Sequence, residues 1–135
     1  MFKTILFPID QSREARDAAE TVVNLVKTCQ SRLVLLSVVE PSAPEGDAKN
    51  VMNSEEAVAK LLKGAHDLFE KSGIEADTIE REGMPSFTIC DVADEIEADL
   101  IVMGCRGMGL TNDGAAESVT SKVTNLSPCP VLVVP

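Results

Sequence analysis

Four short apolar runs and one weaker, more polar run alternate with stretches of helical periodicity, and this alternation constrains the fold of the 135-residue chain more than any other feature. The apolar runs are residues 3–9, 32–39, 99–103 and 130–134; the polar one is 77–82. Short continuous apolar runs read as strands buried on both faces, which happens when helices cover both sides of a parallel sheet. Between them, Ala15, Ala18, Ala19, Val22 and Val26 recur at helical spacing over residues 13–29. A second helix follows Ser54, faced by Ala57, Val58, Leu61, Leu62, Ala65, Leu68 and Phe69 and ended by Gly73 at the first position past its cap. Pro85 suits the start of a third, after the turn Gly83-Met84-Pro85, with Ile89, Val92, Ala93 and Ile96 as its face. Ser118 caps a fourth after a Gly-rich loop from 104 to 116, with Val119, Val123 and Leu126 inward. The order β-α-β-α-β-α-β-α-β predicts an α/β fold: one doubly wound, five-stranded parallel sheet with helices on both faces. The polar third run belongs toward a sheet edge. Residues 40–53, with Pro41, Pro44 and Gly46, form a surface loop, and no linker or repeat divides residues 1–135, so a single domain is expected.

Composition narrows the function. Four Phe are the only aromatic residues, so the core is built from Val, Leu, Ile, Ala and Met. A net charge of −10 argues against nucleic acid and anionic membranes, because phosphate-backbone binding needs clustered Lys and Arg. A small phosphorylated ligand remains compatible, since a local nest of backbone N–H groups binds one whatever the overall charge. No apolar run reaches the length of a membrane span, and the start reads as a strand, not a signal peptide, so the expected location is cytoplasmic. Cys29, Cys90, Cys105 and Cys129 have no metal-like spacing and read as reduced thiols, some of them filling the core. His66 is the only histidine and reads as a solvent-facing helix residue; Asp91, Asp94, Glu95, Glu97 and Asp99 read as a solvated face. The chain has neither a G-x-S-x-G elbow nor a P-loop lysine, and no general base can be placed, so it reads as a binding protein, with a slow ATPase or phosphotransferase as the enzymatic alternative.

In an open α/β sheet, ligands bind beyond the carboxyl ends of the strands where the strand order reverses. Two loops stand out there. Asp10-Gln11-Ser12 follows the first strand, and Gly104-Cys105-Arg106-Gly107 follows the fourth. Gly104 and Gly107 allow close backbone approach to a ligand, Arg106 brings positive charge, and Ser118 opens a helix whose free N–H groups attract anions. Cys105 lies inside the loop, where Arg106 and helix N-termini favour a thiolate.

These segments resemble the universal stress protein family along the whole chain. Ile5-Leu6-Phe7-Pro8-Ile9-Asp10-Gln11-Ser12 is similar to that family's first strand and turn, Asp99-Leu100-Ile101-Val102-Met103-Gly104-Cys105-Arg106-Gly107 to its most distinctive segment, and Leu126 to Val134 to its last strand. The resemblance implies a Rossmann-like fold of the adenine nucleotide alpha hydrolase-like type. It also implies ATP or AMP as ligand, with Mg²⁺ as a possible companion. Pro8, Asp10 and Val38 would lie beside the nucleoside, Met103, Gly104, Arg106 and Gly107 along ribose and phosphates, and Ser118, Val119 and Thr120 at the terminal phosphates. A homodimer through the final strand, Val131–Val134, is implied as well. Nucleotide-binding relatives carry Gly immediately before the Ser or Thr, and here that position is Glu117. A carboxylate about 5 Å from one phosphate charge costs roughly 3 kcal/mol at an effective dielectric near 20, which is about a hundredfold in affinity. Three outcomes stay open: ATP bound weakly or through the metal, a ligand with less phosphate such as AMP, or an empty site on a dimer that acts through protein interactions.

Overall fold

The computed structural model describes residues 2–9, 13–39, 55–104 and 115–135, and of 13–17, 55–58 and 115–118 the backbone alone. The elements are β1 (Thr4–Pro8), α1 (Arg13–Cys29), β2 (Arg32–Val39), α2 (Glu55–Lys71), β3 (Ala76–Glu82), α3 (Pro85–Glu95), β4 (Leu100–Gly104), α4 (Ala115–Leu126) and β5 (Val131–Val134). The strands form one parallel sheet in the order β3-β2-β1-β4-β5. From β1 the chain steps outward to β2 and β3, then crosses back to the far side of β1 for β4 and β5. Because parallel crossovers are right-handed, the change of direction moves the helices to the opposite face of the sheet.

The buried side chains follow that rule. Ile5, Phe7, Leu33, Leu35, Leu100 and Val102 point to one face, where Ala18, Val22 and Val26 of α1 and Leu62 and Phe69 of α2 meet them. Leu6, Val34, Leu36, Ile101 and Met103 point to the other, against Ile89, Val92 and Ala93 of α3 and Val123 of α4. Strand side chains alternate between faces, so each central strand feeds both layers and reads as an unbroken apolar run. Phe7 and Phe69 meet edge to face, ring centres 6.2 Å apart, as the aromatic contact of this largely aliphatic core.

Local signals set the element ends. Gly73 adopts φ +81°; its N–H donates to Glu70 and that of Ile74 to Phe69, the paired bonds of a Schellman cap. Gly83 adopts φ +153°, and a Cβ there would stand 2.5 Å from the Thr88 hydroxyl oxygen. Its N–H donates to the Val39 carbonyl at 2.9 Å, so this turn is tied to the end of β2. Pro85 is the first residue of α3, where its missing N–H costs nothing.

Three sequence expectations shift. The fourth helix begins at Ala115, so Ser118 lies within its first turn and is not the cap, and the Gly-rich loop is shorter than 104–116. Leu68 and Leu126 are 48% and 49% exposed although periodicity turns them inward. Leu62 and Phe69 take the centre of the α2 stripe and leave Leu68 at its rim; Leu126 ends α4, where the chain turns toward β5. Periodicity fixes a face but not where the opposing layer stops. Ile96 sits just past α3 as its C-cap, still packed on the core. The expected loop over 40–53 lies outside the described residues.

Gly83→Ala should lower unfolding free energy by about 1–3 kcal/mol, because it combines an unfavourable φ with the Thr88 clash. Gly73→Ala, where a Cβ meets open space, should cost only about 1 kcal/mol. Urea denaturation measures both. Adding Thr88→Ala should recover part of the Gly83→Ala loss and none of the Gly73→Ala loss.

Candidate functional site

The seam between β1 and β4 is where the strand order reverses. At its amino end the two strands are pinned. The Asp99 N–H donates to the Thr4 carbonyl at 2.8 Å, and the Asp99 carboxylate accepts the Thr4 N–H at 3.0 Å. Pairing continues through Ile5 with Leu100 and Leu6 with Ile101, and stops there. On the outer sides the ladders run on: β1 pairs with β2 as far as Pro8, and β4 with β5 as far as Gly104.

The sequence supplies a cause. In a parallel ladder the residues of a strand bond alternately to the left and right neighbours. Ile9 donates to Leu36 of β2, and Thr4 faces Asp99, so odd positions of β1 address β2 and even positions address β4. The next even position after Leu6 is Pro8, which has no N–H to donate. On β4, Ile101 donates toward the β5 side, to Pro130, so Val102 and Gly104 are the positions that address β1. The ladder assigned between β1 and β4 therefore ends before Pro8, with Gly104 at the carboxyl end of β4 beyond it.

The described residues among those proposed from the sequence lie at the carboxyl ends of β1, β2 and β4 and on the first half of α4. Pro8 ends β1 half-buried. Val38 stands one residue before the end of β2 and packs on the same cluster as Met103 of β4 and Val119 of α4. Met103 is buried; Gly104, Val119 and Thr120 are half-buried. The Thr120 carbonyl accepts the Thr124 hydroxyl at 2.8 Å. Val38, Met103 and Val119 thus belong to one apolar cluster under α3 and α4. Asp10, Cys105, Arg106 and Gly107 lie outside the described residues, and of Glu117 and Ser118 only the backbone is described, within the first turn of α4.

Two features were not anticipated. Asp99 was read as part of a solvated face; its carboxylate is exposed and also closes the amino end of the seam. His66 is partly exposed on α2, in keeping with a solvent-facing helix residue, and it sits in an unanticipated cluster. Its Nδ1 lies 3.6 Å from Asp67 and 3.7 Å from Glu70, so the three ligand atoms sit within 4.8 Å of one another. The i, i+4 spacing of His66 and Glu70 is a signal available in the sequence. This cluster lies on α2, which packs on β2 and β3 rather than over the β1–β4 seam. The remaining carboxylates at Asp91, Asp94, Glu95 and Glu97 are exposed, as expected. No helix among the described residues is long and apolar enough to cross a membrane.

Comparison with known proteins agrees with this architecture. The profile of the Universal stress protein family matches residues 1–135. The universal stress protein Sll1654 of Synechocystis sp. is 68% identical, over the whole of this chain and 87% of its own length. The solved structure of universal stress protein UspA from Lactobacillus plantarum superposes with a TM-score of 0.83 at 32% identity, covering 99% of this chain and 98% of that one. Two more distant structures share the fold and hold ligands. One is a universal stress protein in complex with cAMP (TM-score 0.78, 23% identity, 99% and 97% covered). The other is an Arabidopsis thaliana member with AMP bound (TM-score 0.74, 18% identity, 98% and 90% covered). With its full length matched by the family profile and by a relative 68% identical, the chain belongs to the universal stress protein family.

Proposed function

We propose that the chain is a single-domain, cytoplasmic regulatory protein that binds an adenine nucleotide in the β1–β4 crevice and works as a homodimer without appreciable turnover. The observation that supports the reading is the β1–β4 pairing that stops after Leu6 at the strand-order reversal, with Val38, Met103 and Val119 in one apolar cluster near the strand ends. In this reading Asp10 lies beside the nucleoside with Pro8 and Val38. Met103, Gly104, Arg106 and Gly107 follow the ribose and phosphates, and Ser118, Val119 and Thr120 hold the phosphate end. The cAMP and AMP complexes of distant relatives support the ligand class. Glu117, in the first turn of α4, opposes extended phosphate chains, so AMP is favoured over ATP unless Mg²⁺ screens the carboxylate. A binding role without turnover fits a sequence that lacks a P-loop lysine.

The dimer reading rests on a contrast between the two sheet edges. On β3, Asp77, Glu80, Arg81 and Glu82 are exposed, and Arg32 and Arg81 make surface ion pairs with Asp77 and Glu95. A charged edge resists pairing with another strand. On β5 all four residues are apolar, with Leu132 36% and Val133 39% exposed. That edge needs covering, and a second copy of the same strand supplies it across a two-fold axis.

Differential scanning fluorimetry with AMP, ADP and ATP, each with and without Mg²⁺, tests the ligand. At a hundredfold excess over Kd, binding adds about 2.7 kcal/mol of stability. AMP should raise the melting temperature most in the absence of Mg²⁺, and Glu117→Gly should tighten ATP by up to about a hundredfold. No shift with any adenine nucleotide at millimolar concentration would leave the second reading, a ligand-free dimer acting through protein contacts, which Glu117 itself favours. For the interface, Leu132→Lys with Val133→Lys should convert dimer to monomer in sedimentation equilibrium while leaving the AMP-induced shift in place.

A further inference from the structure

The last turns of α2 set the chain's single histidine beside two carboxylates. The His66 Nδ1 lies 3.6 Å from an Asp67 carboxylate oxygen and 3.7 Å from a Glu70 carboxylate oxygen, and the three atoms fall within 4.8 Å of one another. Residues four apart on a helix are neighbours on its surface, which brings Glu70 back to His66. Both separations exceed hydrogen-bonding distance, so the imidazole does not engage either carboxylate. Among the described residues, neither carboxylate pairs with a Lys or Arg. The spacing resembles a metal's ligand shell: bonds of about 2.1 Å to nitrogen and oxygen at tetrahedral angles set ligand atoms about 3.4 Å apart. The backbone beneath the cluster is held in place. Leu62 and Phe69 bury the inner face of the helix, Phe69 against Phe7, and the Phe69 and Glu70 carbonyls accept the Ile74 and Gly73 N–H groups of the cap. Ligands carried on a packed helix start near their working positions, so little order is lost when an ion enters.

We propose that His66, Asp67 and Glu70 bind a first-row divalent transition-metal ion of the zinc type, through one imidazole nitrogen and two carboxylate oxygens, with a fourth position open to water. The imidazole selects the class of ion. Mg²⁺ and Ca²⁺ take oxygen ligands, whereas an imidazole suits Zn²⁺, Ni²⁺ and Cu²⁺. Two carboxylates offset the charge of the ion, and the neutral imidazole adds a lone pair. His66 is partly exposed and both acids are exposed, so the ion enters and leaves from solvent. The site is a reversible surface site, unlike the closed four-ligand kind on which folding itself depends. It lies on a helix that packs on β2 and β3, apart from the β1–β4 seam, so it does not rest on nucleotide binding.

The test titrates reduced, chelator-treated, nucleotide-free full-length protein with Zn²⁺, following heat by calorimetry and backbone amide resonances by NMR. One ion per chain should bind below millimolar Zn²⁺, with shifts concentrated between Lys63 and Lys71, and Mg²⁺ should produce no shifts there. Loss of a group that merely orients a ligand costs about 10–100-fold in metal affinity. His66→Ala and Glu70→Gln, which remove ligands, should therefore each weaken Zn²⁺ by at least about tenfold. Without metal, both variants should melt with the wild type. Absence of saturable binding at millimolar Zn²⁺ would overturn the proposal. Binding that leaves residues 63–71 unmoved and centres on Cys29, Cys90 or Cys129 would do the same, and wild-type protein alone is enough to read that outcome.

Discussion

The structure turns on a seam that is closed at one end and open at the other. Asp99 fastens β4 to β1 through its backbone and its carboxylate, and Pro8 stops the ladder two residues after Leu6. The chain reverses its direction of winding at this seam, so the helices that follow β2 and β3 cover opposite faces. A crevice at a topological switch point is a general consequence of doubly wound sheets. Here its opening has a specific chemical cause, a residue that cannot donate a hydrogen bond at the position where the ladder would next need one.

The central strands feed alternate side chains into two aliphatic layers, and the layer beneath α3 and α4 extends to Met103 at the end of β4 and Val119 on α4. Met103, Val38 and Val119, which the proposed function places beside the ligand, are held by the same contacts that stabilise the sheet. The edges are treated differently. β3 carries charges that discourage pairing, and β5 presents exposed apolar residues that invite it.

Much of this was legible in the sequence. The apolar runs and helical stripes marked the nine elements found among the described residues, because buried strands and amphipathic helices leave distinct periods. The polar run of 77–82 correctly indicated an edge strand, and the adjacency of β1 and β4 at the switch point follows from the winding order. Other features were hidden. Leu68 and Leu126 satisfy the helical period but stand where the opposing layer ends, which a one-dimensional pattern does not encode. Ser118 has the chemistry of a cap, yet Ala115 and Ala116 are better helix formers and extend α4 ahead of it. Asp99 looked like one carboxylate among several; its bond to Thr4 joins residues far apart in sequence and has no local signature. Pro8 was identified with the nucleoside site by resemblance, and its role in ending the ladder emerged only from the pairing register. The family match and the fold agree with the resemblance read from the sequence.

The central claim is that an adenine nucleotide occupies the open half of the β1–β4 seam, and a titration of isotopically labelled protein with AMP, followed by backbone amide resonances, tests it most directly. The account predicts saturable shifts concentrated at Ile9, Val38, Met103, Gly104, Val119 and Thr120, with Thr4, Asp99 and Leu100 at the closed end unmoved. Shifts absent at millimolar AMP, or centred on α2 or the amino ends of the strands, would contradict it.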